Sequence, residues 1–85
     1  MSAGASRLID RICERLDVGD LPREHPKTVR GGYGFGNACN GCGDPIRSGQ
    51  VAYEFDGAAQ TYRFHAACYG LWEGELIRRG LFKPQ

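Results

Sequence analysis

Two pairs of residues in this chain have the side-chain types and the spacing that suit a bound metal ion. Cys39 and Cys42 form a C-x2-C pair, and His65 and Cys68 form an H-x2-C pair after a spacer of residues 43–64. Thiolate sulfurs and imidazole nitrogens are the usual ligands of structural zinc sites. The double spacing predicts one Zn²⁺ bound by Cys39, Cys42, His65 and Cys68, and the alternative is that these are four unrelated buried residues.

The same ligand set indicates a structural rather than a catalytic metal. Four protein ligands fill a tetrahedral site, whereas a catalytic zinc keeps one position for water or substrate. A zinc deaminase needs H-x-E followed by P-C-x-x-C, but this chain has no H-x-E, and Ala38 precedes Cys39. A thioredoxin-like C-x-x-C pair belongs to a βαβ unit, which nothing here predicts. We therefore expect no catalytic residues, no small-molecule substrate and no enzymatic activity.

The glycine-rich stretch RGGYGFGNACNGCG, residues 30–43, leads into the first cysteine pair. It contains neither G-x-G-x-x-G nor the GK[ST] ending of a P-loop, so we do not expect it to bind phosphate. Gly41 and Gly43 are expected to let the chain turn sharply, so that backbone N–H groups approach the thiolates. Tyr33 and Phe35 alternate with glycine, and we expect their rings to be pinned against a core.

Hydrophobic periodicity predicts an amphipathic N-terminal helix over residues 6–17, with Ser6 at its start and Gly19 near its end. Its charged residues alternate in sign and are expected to pair on the solvent-exposed face. Cys13 is expected to be a small core residue, with a free reactive thiol as the alternative. The apolar stripe of this helix consists of Leu8, Ile9, Ile12, Cys13 and Leu16.

Residues 18–38 lack a regular pattern and predict an irregular connector. The prolines and closely spaced glycines of this segment disfavour a long helix or a central strand. His25 lies within it between Glu24 and Pro26, and we expect a solvated loop histidine there. The alternative is that His25 replaces His65 as the fourth ligand.

The part of the chain after the first cysteine pair predicts a hairpin and a second helix. Side chains alternate between apolar and polar in residues 50–56 and 60–64, which is typical of two strands of a β-hairpin. Residues 66–79 return to helical spacing, and Gly80 is expected to end that helix. The aromatic residues expected in the core, or alternatively in a base-stacking platform, are Tyr53, Phe55, Tyr62, Phe64 and Trp72.

Length and charge limit the possible functions further. The 85 residues suit one domain, 1–85, whose small core would need the stabilisation that a metal provides. Eleven basic and ten acidic residues give a net charge of +1, which offers no strong attraction for DNA, RNA or anionic membranes. No apolar stretch reaches membrane-spanning length, and the N-terminal residues lack a secretory or transit pattern. We therefore expect a soluble cytoplasmic protein with reduced thiols.

Over about residues 39–80 we expect three parts in order: a tight turn that bears Cys39 and Cys42, a β-hairpin, and a helix that bears a ligand. This order resembles the treble-clef zinc fold. The pattern C-x2-C … H-x2-C is also similar to one zinc-binding half of a LIM domain. A LIM domain would continue with further ligands and this chain has none after Cys68, so LIM function does not carry over. The string DLPREHPKTVRGGYGFGNACNGCG also resembles a group of small, uncharacterised bacterial zinc-finger proteins, which implies no activity.

Together these features predict an α+β fold, with a treble-clef finger at 39–80 preceded by the helix and the connector. The favoured function is a binding module that docks another protein or a second copy of itself. If the apolar stripe of the first helix is exposed, docking through it is favoured, whereas a stripe covered by Trp72 and Leu76 favours a self-sufficient monomer. One alternative is a redox or zinc sensor that uses the thiolates. The other is a nucleic-acid-binding regulator that uses Arg23, Lys27, Arg30, Arg78, Arg79 and Lys83.

Overall fold

A computed structural model describes residues 7–84, so the predicted cap at Ser6 lies outside the described residues. The fold is α+β, as predicted, and combines two helices with a three-stranded antiparallel sheet. No helix among residues 7–84 is long and apolar enough to cross a membrane. In chain order the elements are α1 (Leu8–Asp17), β1 (Arg30–Tyr33), β2 (Val51–Asp56), β3 (Thr61–His65) and α2 (Ala66–Arg78).

The predicted hairpin is confirmed as β2 and β3, which pair antiparallel in a sheet of strand order β1-β2-β3. A backbone hydrogen bond of 2.8 Å closes the turn between the two strands. Tyr53 lies opposite Phe64, and Phe55 lies opposite Tyr62. Because side chains alternate across a strand, these four aromatic residues share one face of the sheet, and α2 packs against that face.

The prediction of an irregular connector over residues 18–38 is wrong near its C-terminal end, where Arg30–Tyr33 forms the edge strand β1. β1 pairs antiparallel with β2, and the Arg30 guanidinium donates to the carboxylates of Glu54 at 2.9 Å and Asp56 at 3.2 Å. The sequence RGGY has no apolar alternation and a low β propensity, so local pattern does not predict it. Pairing with β2 and the two carboxylates hold this strand in place.

The apolar stripe of α1 packs on α2, so it is covered within the chain. Ile12 and Leu16 are fully buried and belong to one hydrophobic cluster with Trp72 and Leu76. Of the two outcomes considered from the sequence, the structure matches the one in which α2 residues cover the stripe. This face of α1 is therefore not free to dock a partner, which is the outcome that favours a self-sufficient monomer as far as α1 is concerned, so association has to use another surface.

Trp72 lies at the centre of the core. The centroid of its ring is 5.2 Å from that of Phe55 and 5.4 Å from that of Phe64, and the ring planes are 18° and 20° apart. All three side chains are almost completely buried, and Tyr53 and Tyr62 are half-buried. The prediction that these aromatic residues form the core is confirmed for Phe55, Phe64 and Trp72, and Tyr62 packs against that core. Tyr53 lies outside the core cluster and packs on Tyr69, with 5.1 Å between ring centroids. None of the five is exposed, so they do not form an exposed stacking platform.

Tyr33 and Phe35 are exposed, contrary to the prediction that a core would pin their rings. Their exposed fractions are 71% and 70%. Gly34, which lies between them, is buried against Ile46. The backbone at Gly34 therefore packs closely in this segment, while the rings on either side of it stay exposed.

Candidate metal centre

A tight turn brings the first cysteine pair together. The Cys39 N–H donates to the Asp44 carbonyl at 2.9 Å, and the Cys39 carbonyl accepts the Gly43 N–H at 2.9 Å. An isolated bridge between Ala38 and Pro45 closes the base of this turn. Residues 38–45, the knuckle, therefore present Cys39 and Cys42 from one rigid loop.

Gly41 allows the knuckle to approach the rest of the site closely. Its N–H donates to the sulfur of Cys39 at 3.3 Å, as the sequence predicts. A Cβ atom on Gly41 would lie 3.0 Å from the Cβ of Cys68 and 3.1 Å from the ring of Phe64. A larger residue would push the knuckle away from α2 and from the second ligand pair.

The junction between β3 and α2 carries the second pair. His65 is the last residue of β3 and precedes α2, and Cys68 lies in the first turn of α2. The H-x2-C spacing predicts that both side chains lie on one face of a first helical turn, and this prediction is wrong for His65, which precedes the helix. The His65 N–H donates to the sulfur of Cys39 at 3.4 Å, and the Asn40 N–H donates to the Arg63 carbonyl at 2.8 Å. These bonds fix the knuckle to the end of β3.

The structure brings all four predicted ligands together. The sulfur atoms of Cys39, Cys42 and Cys68 and a ring nitrogen of His65 lie within 4.8 Å of one another. Two sulfurs bound to one tetrahedral zinc are about 3.8 Å apart, so the cluster has the size that a single ion needs. The three cysteines are buried. Cys13, which was expected in the core, is half-buried on α1 and lies outside the cluster.

The Nδ1 atom of His65 is the ring nitrogen that faces the sulfurs. It lies 3.5 Å from the sulfur of Cys42 and 3.8 Å from that of Cys68. Nε2 lies 3.1 Å from the Pro45 carbonyl oxygen, to which an Nε2–H can donate. Metal-binding histidines commonly donate their second ring N–H in this way, which fixes the ring orientation. The sequence alone does not distinguish the two nitrogens.

The surroundings of the three sulfurs place negative charge first on Cys39. A hydrogen bond from the Cys68 thiol, helped by backbone N–H groups, lowers the pKa of Cys39 to about 4. The same hydrogen bond retains the proton on Cys68 and raises its pKa, and burial raises the pKa of Cys42. A divalent cation would bind all three as thiolates, so metal binding at this cluster would release protons.

Two arginines of α1 reach the knuckle, which sequence analysis missed. The Arg15 guanidinium donates to the Asn40 carbonyl at 3.3 Å, and the Arg11 guanidinium donates to the Cys42 carbonyl at 3.5 Å. The sequence predicted that such residues would pair with acidic neighbours on the exposed face of the helix. Arg11 and Arg15 are four residues apart and lie beside the apolar stripe, so the sequence does indicate that both side chains contact the same surface. α1 is therefore attached to the candidate ligand cluster as well as to the core.

His25 lies outside the ligand cluster, and the prediction of a solvated loop histidine is wrong. Its side chain is only 16% exposed, and its ring stacks on that of Phe82 with 3.8 Å between centroids. Nε2 of His25 lies 2.6 Å from a carboxylate oxygen of Glu73 in α2. Nearby, Nε1–H of Trp72 donates to the Pro22 carbonyl at 3.0 Å. These contacts hold the connector against α2, so His25 is not an alternative ligand.

No protein-family model matches this chain, and searches of curated proteins and of solved structures find no significant match either. The similarities to half of a LIM domain and to small bacterial zinc-finger proteins therefore stay resemblances of sequence pattern. The site itself is a cluster of three cysteines and one histidine that is able to hold one metal ion.

Proposed function

We propose that this chain is a small zinc module of the treble-clef type, in which a structural Zn²⁺ stabilises a protein-binding surface. The convergence of Cys39, Cys42, His65 and Cys68 carries the proposal. The treble-clef assignment is supported by the order of the knuckle, the hairpin and a helix whose first turn bears a ligand.

Zinc is the ion that the ligand chemistry favours. Three thiolates and one imidazole are a common structural zinc set, whereas magnesium and calcium prefer oxygen ligands. Four protein ligands leave no position for water or substrate, which supports a non-catalytic role. Zinc bound in small finger domains contributes roughly 10–16 kcal/mol of apparent binding energy, which is comparable with the stability of a whole domain.

A protein-binding role fits the surface better than nucleic-acid binding does. Three of the six basic residues considered for nucleic acid already bond to carboxylates in the chain. Arg30 donates to Glu54 and Asp56, and Arg78 and Arg79 both donate to Glu75. These pairings leave less positive charge for phosphate, so the surface does not favour an electrostatic interface.

Metal analysis of natively purified protein tests the structural zinc. We expect one zinc per chain by native mass spectrometry, and we expect Cys68→Ser to lose most of the zinc and to melt at a lower temperature. Cys13→Ser is the matched control, because Cys13 lies outside the cluster, and it should keep both the zinc and the melting temperature. Wild-type protein without metal, or an unchanged Cys68→Ser variant, would contradict the proposal.

Affinity capture from native extract, together with sedimentation of the purified protein, tests the binding role. We expect a specific protein partner or self-association, and we expect either one to be lost when a chelator removes the zinc. A zinc-loaded chain that shows neither would contradict the binding role while leaving the structural metal intact.

A further inference from the structure

The sheet has two edges, and the fold covers one of them. Along β3, the Asn40 N–H donates to the Arg63 carbonyl, and the Asn40 side-chain oxygen accepts the Arg63 N–H, both at 2.8 Å. Along β1, all four residues Arg30–Tyr33 are exposed. Within residues 7–84, no backbone group other than those of β2 bonds to this strand. An open edge of this kind is a template for pairing with another strand.

The hydrogen-bond register shows which groups of β1 point outward. The Gly34 N–H donates to the Gln50 carbonyl at 3.0 Å, so this pair is hydrogen-bonded. Hydrogen-bonded and non-hydrogen-bonded pairs alternate along antiparallel strands, so Gly32, two residues earlier, also bonds to β2. The N–H and C=O groups of Gly31 and Tyr33 therefore point away from the sheet.

β1 carries an exposed aromatic ring, that of Tyr33, and, two residues away at Gly31, an open space of the kind that an aromatic ring fills. Tyr33 is 71% exposed. Gly31 has no side chain, and a Cβ placed there would be 3.6 Å from the ring of Tyr53, with no other residue within 4 Å. The space over Gly31 is thus open and lies beside an aromatic ring. Aromatic side chains pack favourably over a glycine on the neighbouring strand.

We propose that two copies of this chain pair antiparallel through β1, about a twofold axis at Gly32. In this register Gly31 of each copy lies opposite Tyr33 of the other copy, and their outward N–H and C=O groups bond to each other. Each Tyr33 ring then fills the space over Gly31 of the second copy, beside its Tyr53. The surface is self-complementary, as a twofold interface requires, and the two sheets join into one.

Charge does not oppose this pairing. Arg30 is the charged residue of β1, and its guanidinium bonds to Glu54 and Asp56 of its own chain. In the proposed register Arg30 lies opposite Gly34 of the second copy, so the two arginines are at opposite ends of the interface. Like charges therefore do not face each other across the strands.

The inference rests on the proposed role as a binding module, and it names a second copy of the chain as the partner. A strand of four residues makes a small contact, and small interfaces give weak, transient association. We therefore expect a dimer that dissociates on dilution, rather than a permanent one.

Cysteine substitutions along β1 test the register, with Cys13→Ser in every variant. Residues facing each other at a non-hydrogen-bonded site have Cα atoms about 4.5 Å apart, within the roughly 4.4–6.8 Å that a disulfide spans. Gly32→Cys is therefore expected to form a disulfide-linked dimer in a glutathione redox buffer. In Gly31→Cys and in Tyr33→Cys, each thiol lies opposite a residue that is not cysteine. These two variants should therefore form little disulfide-linked dimer. A Cβ at Gly31 or Gly32 makes no close contact, so both variants should fold.

Sedimentation equilibrium tests the contribution of the ring without any cross-link. Tyr33→Ala is expected to weaken self-association about tenfold, because the space over Gly31 is no longer filled. Val18→Ala is the control, since Val18 is 65% exposed and follows α1 rather than lying on β1, and it should associate like the wild type.

A wild type that sediments as a monomer at every concentration, with no cross-link in Gly32→Cys, would overturn the proposal. Equal cross-linking at all three positions would also overturn it, because random collisions give that pattern. Zinc content is measured in the same samples. A zinc-loaded monomer contradicts only the β1 dimer, whereas a protein without zinc contradicts the proposed structural metal.

Discussion

Gly32 and Gly34 lie two residues apart in the glycine-rich segment, but their surroundings differ. A Cβ on Gly34 would overlap the side chain and the carbonyl oxygen of Ile46 and would lie 2.6 Å from the Arg47 carbonyl oxygen. A Cβ on Gly32 would have no neighbour within 4 Å. Gly34 is therefore required by close backbone approach, and Gly32 is not.

We predict that Gly34→Ala lowers the free energy of unfolding by about 1–3 kcal/mol, since the backbone at Ile46 must move to admit the methyl group. Gly32→Ala is the control and is expected to leave stability unchanged or slightly raised, because alanine has fewer unfolded conformations. Urea unfolding of dilute, zinc-saturated protein measures both. Equal effects of the two substitutions would mean that packing at Gly34 is not tight.

Glu75 is a buried carboxylate, and the hydrophobic pattern of α2 did not predict its burial. It is 5% exposed and accepts hydrogen bonds from Arg78 at 2.9 Å and Arg79 at 2.6 Å. These bonds, with that from Arg78 first, lower its pKa to about 2. Arg79 also lies 2.9 Å from Asp17 at the end of α1. Glu75 therefore anchors an arginine that bridges the two helices.

We predict that Glu75→Gln lowers the free energy of unfolding at neutral pH by about 1.5–3 kcal/mol, the usual range for hydrogen bonds to a charged group. Glu14→Gln, on the exposed side of α1, is the control and should change it by less than about 0.5 kcal/mol. Urea unfolding with zinc present gives both values. A loss no larger than that of the control would show that the network contributes little.

The loss of stability caused by Glu75→Gln is predicted to depend on pH. Because the folded pKa of Glu75 is depressed, its stabilisation is present above the carboxyl's usual pKa of 4.5 and disappears as the pH falls toward 2. The difference in unfolding free energy between the wild type and Glu75→Gln should therefore shrink over that interval. Metal ligands also protonate in acid, so the two proteins are compared at each pH and only their difference is interpreted.

At the scale of elements, α1 contacts the loop that presents two of the candidate ligands, so it is not an appendage. Arg15 donates to Asn40 within the knuckle, and the knuckle in turn holds the end of β3. Outer contacts of this kind tune how long a metal is retained. We predict that Arg15→Ala speeds zinc transfer to a coloured chelator by roughly tenfold.

Arg7→Ala is the matched control for that experiment, because Arg7 is the exposed residue just before α1, at the end of the helix far from Arg15, and its side chain bonds only to Asp10 among residues 7–84. It removes the same charge from the chain, so a change shared by both variants would indicate a general electrostatic effect. A transfer rate for Arg15→Ala equal to that of the control would exclude a specific role for the contact with the knuckle.

Elements with a local pattern were predictable, and elements held by distant contacts were not. Both helices and the β2–β3 hairpin follow the hydrophobic periodicity of their own residues. The close grouping of the ligands follows from the two x2 spacings. By contrast, β1 depends on pairing with β2, and the position of His25 depends on Phe82 and Glu73. Because such contacts join residues that are far apart in sequence, no short-range pattern predicts them.

At the scale of the whole molecule, one hydrophobic core joins α1 to residues 39–80. Ile12 and Leu16 are buried in the same cluster as Trp72 and Leu76. From the ligand spacing alone, metal loss is expected to unfold residues 39–80, whatever the first helix does. In the structure, α2 covers the apolar face of α1, so the folding of α1 and of residues 39–80 is expected to be coupled.

We predict that a chelator unfolds α1 together with the finger, in one transition. α1 has ten residues, and isolated helices shorter than about 12–15 residues are marginal in water. Once α2 no longer covers Ile12 and Leu16, α1 loses the packing that stabilises it and is expected to unfold. Fluorescence of Trp72, the single tryptophan, reports the core, and far-ultraviolet circular dichroism reports both helices. The two signals should therefore change at the same chelator concentration. Amide exchange that stays slow in α1 after the fluorescence has changed would contradict this coupling and would make α1 a separately stable element.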